Sequence, residues 1–206
     1  MQSSKMLRCR LNPGSPEIVA AQGVMVAYQG QMDFAYQGSG GGMRMLKKIA
    51  SGEGGDLMKV RGEGEVFLAR QAHNIFLIEL EGEAITLNTG SLLAFDGSLR
   101  WDIRAIGNVG VIAGGLFNLY LEGSGTVAVT SDGPPMLLDC SQQPTYVDPH
   151  AAVCWSPNLT PTLKNDFKMS SLIGRGSGES FQLGFYGPGF VVVQPSEGVP
   201  GSRFIG

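Results

Sequence analysis

The chain has 206 residues, of which 31 are glycine and 11 proline, and it is 43% hydrophobic but only 16% charged. A net charge of −3 and a pI near 5.4 argue against a nucleic-acid-binding domain, which normally carries a basic footprint. No apolar run approaches the roughly 18 residues of a membrane span, and the start of the chain, MQSSKMLRCRLNPGSP, lacks the apolar centre of a signal peptide. Three cysteines without a CxxC pair fit reduced thiols and a cytoplasmic location.

In chain order, VMVAYQGQM at 24–32 reads as a strand that ends in a turn at Gln29-Gly30, where a positive φ is easily reached. Glycine-rich residues 38–42 lead into the one helical candidate, Met43 to Ala50, which carries the only basic cluster, Arg44, Lys47 and Lys48. Residues 57–68, LMKVRGEGEVFL, alternate with period two. Met58, Val60, Val66 and Leu68 take one face, and Lys59, Arg61 and Glu65 take the other. Segments 75–80 and 83–87 flank Glu81-Gly82 as a hairpin. SLLAFDGSL at 91–99 is a strand with a turn at Asp96-Gly97. NLYLEGSGTVAV at 118–129 alternates as 57–68 does, with Leu119, Leu121, Val127 and Val129 on one face. AAVCWSPNL at 151–159 is a strand whose turn has Ser156-Pro157, and QLGFYGPGFVVV at 182–193 closes the series.

Two motifs recur in this list. Gly-x-Gly followed by alternating apolar residues appears at Gly62/Gly64, Gly123/Gly125 and Gly187/Gly189, spaced 61 and 64 residues apart. Glycines inside a strand weaken it, so their recurrence implies a bulge, a bend or a close backbone approach. The second motif is apolar, apolar, small, aromatic, turn, apolar. Ala27, Ala94 and Cys154 fill its small position, and Tyr28, Phe95 and Trp155 its aromatic one. Two motifs in the same order at one period predict three divergent β repeats, at about 6–71, 72–133 and 134–195. They form one all-β domain over 1–195, and 196–206 is a flexible Gly/Pro/Ser tail. A unit of this size buries too little apolar surface alone, so the three should pack together around a pseudo-threefold. Each unit also has a glycine-rich loop with an apolar tip. Met43, Met45 and Leu46 tip the first, Val111 and Ile112 the second, and Met169, Leu172 and Ile173 the third. These are the candidate interaction residues.

No catalytic, cofactor or metal site is expected. His73 and His150 fall in different repeats and outside metal-ligand spacing. Cys154 fills a slot that alanine fills elsewhere, which reads as a core thiol, and Cys9 and Cys140 sit in or beside strands. Gly-Gly-Gly-Met-Arg at 40–44 lacks the GxxxxGK phosphate signature. Carboxylate pairs such as Glu79/Glu81 and Asp96/Asp102 have ordinary strand and turn spacings.

Gly-Glu-Gly-Glu-Val-Phe-Leu at 62–68, Gly-Ser-Leu-Leu-Ala-Phe-Asp at 90–96, Gly-Leu-Phe-Asn-Leu-Tyr-Leu-Glu-Gly-Ser-Gly at 115–125 and the glycine-rich insertion at 38–42 resemble the bacterial relatives of the altered-inheritance-of-mitochondria protein 24 family. The resemblance spans about residues 20–195. It implies a fold similar to the tryptophan RNA-binding attenuation protein (TRAP), occurring three times in one chain, as a β-sandwich or double-stranded β-helix. The family has no established biochemical activity to carry over and transfers no functional residue, though mitochondrial members are linked to inner-membrane organisation. The third copy departs from the pattern, with His150 and Ser156-Pro157 where the second has Gly90 and Asp96-Gly97. The expected function is a non-enzymatic scaffold or interaction module, monomeric or a small homo-oligomer, that meets a protein partner or membrane surface through the apolar loops. The alternative is RNA or small-ligand binding by analogy with the TRAP fold.

Overall fold

The structure, a computed structural model, describes residues 3–37, 57–106, 117–164 and 182–196. Among these residues the regular structure is antiparallel β, apart from a short 3-10 turn at Thr89–Ser91. The expected helix at 43–50, its basic cluster and the tail beyond residue 196 lie outside the described residues.

Three stretches of chain follow one pairing scheme. The first holds β1 (Leu7–Leu11), β2 (Ile18–Ala21), β3 (Met25–Gln37) and β4 (Leu57–Leu68). Long strand β4 has β3 along one edge, and β1 and then β2 along the other. The second holds β5 (Asn74–Asn88), β6 (Leu92–Asp96), β7 (Arg100–Ala105) and β8 (Phe117–Ser131). Here β8 has β6 and β7 on one edge and β5 on the other. In the third, β13 (Gln182–Phe185) and β14 (Phe190–Val193) take the place of the long strand. They pair with β11 (Ala152–Trp155) and β12 (Thr162–Lys164) on one side, and with β9 (Met136–Asp139) and β10 (Thr145–Val147) on the other.

Alternation explains the burial. Met58, Val60, Val66 and Leu68 of β4 and Leu119, Leu121, Val127 and Val129 of β8 are buried, while Arg61 faces solvent. Each fully buried Leu or Val contributes about 1.5–3 kcal/mol, so these two strands supply much of the core. One core joins the first two stretches and reaches Val153 and Cys154. A second, around Trp155 and Phe185 at 5.5 Å in an edge-to-face pair, is built by the third stretch together with Ile106 of the second.

Two expectations need correction. The hairpin at Glu81-Gly82 does not form: β5 runs unbroken through it, with an irregular register between Glu81 and Ala84. The reason is its partner. β8 is continuous past Gly123 and Gly125, so β5 bends with it instead of folding back. The turn at Gln29-Gly30 is likewise absent, because β3 continues to Gln37 and Gly30 lies opposite Gly64. A Cβ on Gly30 would collide with the Glu63 carbonyl, so two glycines let both strands cross the bend together.

Candidate interaction surface

The residues named as loop tips (Met43, Met45, Leu46, Val111, Ile112, Met169, Leu172 and Ile173) lie outside the described residues. The structure does define where their segments leave the frame. Gln37 pairs with Leu57, Ala105 with Phe117, and Lys164 with Gln182. Each segment therefore joins the ends of one antiparallel strand pair, at the same point of the scheme in each stretch.

The Gly-x-Gly pairs sit at the bends of these frames. Gly62 has φ +126, and a Cβ there would collide with the Gln31 carbonyl oxygen and lie 2.9 Å from Met32 Cα. Gly64 lies against Gln29 and Gly30 in the same way. Gly123, Gly125, Gly187 and Gly189 also have positive φ. Beside two of these bends a polar side chain holds the backbone. Asp96 Oδ2 accepts from the Thr126 amide at 2.7 Å, and Ser156 Oγ accepts from the Phe190 amide at 2.9 Å. Ser156 thus does by hydroxyl what Asp96 does by carboxylate, which accounts for serine in the place of Asp96.

Charge gathers on the first stretch. Glu17 pairs with Lys59 at 2.5 Å and with Arg61, and Glu65 pairs with Arg8 at 2.5 Å and Arg10 at 2.8 Å. Partial burial would raise the Glu17 pKa, but hydrogen bonds and charge from Lys59 and Arg61 outweigh it and the net shift is downward. Hydrogen bonds from Arg8 and Arg10 lower that of Glu65. A shallow cleft of about 540 Å³ lies beside Glu17, lined also by Asn12, Gln31 and Arg61.

Burial pushes the Cys154 thiol up to about 12 and Cys9 to about 11, so both are held as thiols. Among the described residues no three His, Cys, Asp or Glu side chains come together as metal ligands do. Also among the described residues, no helix is long and apolar enough to cross a membrane.

Several exposed apolar side chains were missed by sequence reasoning. Met25, Val26 and Tyr28 on β3, Met136 and Leu137 on β9, and Tyr146 and Tyr186 are exposed. The tyrosines 146 and 186 meet edge-to-face at 6.0 Å with hydroxyls 3.1 Å apart.

Comparison with known proteins places these features in a group. The family described as "Mitochondrial biogenesis AIM24" matches residues 1–196. An uncharacterized protein of Streptococcus pyogenes serotype M6 is 29% identical over 171 residues, covering 76% of this chain and 67% of its own. A crystal structure of another Streptococcus pyogenes protein superposes with a TM-score of 0.74 at 24% identity, over 95% of this chain and 91% of that one. It is similar in fold.

Proposed function

The chain belongs to the AIM24 mitochondrial biogenesis family, and we propose that it is a non-enzymatic scaffold of three related β units that holds its glycine-rich apolar segments against a partner surface. The carrying observation is the placement of the segment roots. Residues 38–56, 107–116 and 165–181 each join the ends of a corresponding strand pair, at Gln37/Leu57, Ala105/Phe117 and Lys164/Gln182. A bent frame with glycines packed backbone to backbone is suited to hold such segments in fixed relation.

The chemistry of the segments favours a bilayer interface. The first carries Met43, Met45, Leu46 and Ile49 among Arg44, Lys47 and Lys48, a mixture of apolar and basic groups that suits the headgroup boundary. The other two add Val111, Ile112, Met169, Leu172 and Ile173.

The test is co-sedimentation with vesicles of phosphatidylcholine alone and with an anionic lipid. It compares the natural chain with the triple variant Leu46→Asp, Ile112→Asp, Leu172→Asp, and circular dichroism monitors folding. The proposal expects the natural chain to pellet with vesicles and the folded triple variant to stay in solution. Failure of the natural chain to bind either vesicle rules out bilayer contact. Unfolding of the triple variant would assign the three side chains to the core.

A further inference from the structure

The two contacts between consecutive stretches are built alike. At the first, β2 lies antiparallel on the outer edge of β6, with Val19 opposite Phe95 and Ala20 opposite Ala94. At the second, the C-terminal half of β5 lies antiparallel on β11, with Thr86 opposite Trp155 and Leu87 opposite Cys154. In both, the receiving strand offers a small residue and then an aromatic one, and both residues are buried by the strand laid on them. In both, the receiving strand also carries a register shift just before that step, at Leu92/Ala94 and Ala152/Cys154.

The N-terminal half of β3 is the third strand of this kind. It has the same register shift, between Met25 and Ala27, and the same small-aromatic step at Ala27-Tyr28. Among the described residues its strand partner is β4 alone. Its side chains are consequently bare. Val26 is 58% and Tyr28 51% exposed, whereas Leu93 and Phe95 in the same positions of β6 are 0% and 2% exposed. An apolar edge strand of this sort is a template for pairing with another chain.

The matching donor is present in the chain. β10 pairs with β13 as β2 pairs with β4, and it stands at the end of the three-stranded sheet β10-β13-β12. The two halves of one junction thus sit on the first and last stretches of the molecule, and β3 and β10 are not paired with each other. We infer that the partner of β3 is β10 of a second copy of this chain. The strands run antiparallel, with Tyr146 opposite Tyr28 and Val147 opposite Ala27, continuing the register of the two internal junctions. Cross-strand aromatic pairs are favourable in such a ladder. The contact is heterologous, so copies add head to tail and either close into a ring or run on as a filament according to the rotation at each step. It uses strand edges only and is separate from the segment tips proposed to meet a bilayer.

The test is sedimentation velocity of the full chain over a range of concentrations, with Tyr28→Asp blocking the β3 edge and Tyr146→Asp the β10 edge. Circular dichroism checks folding, and Val26→Lys and Thr145→Lys replace any variant that fails to fold. The expected results are a natural chain whose mass rises with concentration, two variants that each stay monomeric, and an equimolar mixture of them that forms a 1:1 dimer and nothing larger. Three results would each overturn the inference. They are a natural chain that stays monomeric throughout, a Tyr146→Asp chain that assembles as the natural one does (the mark of β3 pairing with β3), and a mixture that stays monomeric. None of these readouts involves vesicles, so this inference and the bilayer proposal fail independently.

Discussion

Replacing Gly62 by alanine tests the bend most sharply. Gly62 has φ +126, which costs a side-chain-bearing residue about 1–2 kcal/mol. The added methyl group also collides with the Gln31 carbonyl oxygen and presses on Met32 Cα, both main-chain atoms that cannot rotate away. Overpacking of this kind costs a further ~1–3 kcal/mol, so the total is about 2–5 kcal/mol. That is a large part of the ~5–15 kcal/mol that holds an ordinary domain together. Gly82→Ala is the internal control, because Gly82 also has positive φ, at +101, but nothing lies within 4 Å of the added group. It should cost only the ~1–2 kcal/mol of backbone strain. Urea unfolding followed by circular dichroism gives both values by linear extrapolation. A Gly62→Ala loss no larger than that of Gly82→Ala would refute the close-approach argument.

Other consequences follow from the same packing. Leu93→Ala should cost about 2–5 kcal/mol in urea unfolding, whereas Val26→Ala, in the same motif position on bare β3, should cost about 0.5 kcal/mol or less in dilute protein. In the native chain Cys154 and Cys140 should resist a maleimide reagent until urea unfolds the protein, and Cys9 should react slowly; mass spectrometry of the alkylated peptides reads this order. The Glu17 and Glu65 pKa values are lowered in the folded state, so their contribution is present above the ordinary carboxylate value of about 4.3 and lost as pH falls through the folded values. The urea midpoint should therefore drop on acidification below about pH 4, and the Glu17→Gln, Glu65→Gln double variant should show a shallower drop.

The strand faces were legible because a period of two leaves little freedom: Met58, Val60, Val66 and Leu68 had to share a side, and they are buried together. The Gly-x-Gly pairs pointed to bends, but which bends were turns was not legible. Gln29-Gly30 and Glu81-Gly82 carry the local chemistry of a turn, yet each faces a long partner strand that continues past it, and tertiary pairing decides. Asp96-Gly97 does end its strand, and the Gly97 amide donates to the Glu17 carbonyl at 2.8 Å, a contact 80 residues away in sequence that no local pattern encodes. The exposed edge is the instructive miss. VMVAY, SLLAF and AAVCW look alike as strings, and only the order of neighbours leaves the first one bare while the other two are buried.

Hydrogen–deuterium exchange of the full chain, read at low and high protein concentration, tests most directly the frame on which both proposals stand. Peptides holding Leu93–Phe95 and Val153–Trp155 should exchange slowly at every concentration, because β2 and β5 cover those edges. The peptide holding Val26–Tyr28 should exchange faster in dilute protein and gain protection as concentration rises. Equal protection of all three peptides in dilute protein, or fast exchange of the two covered ones, would contradict the account.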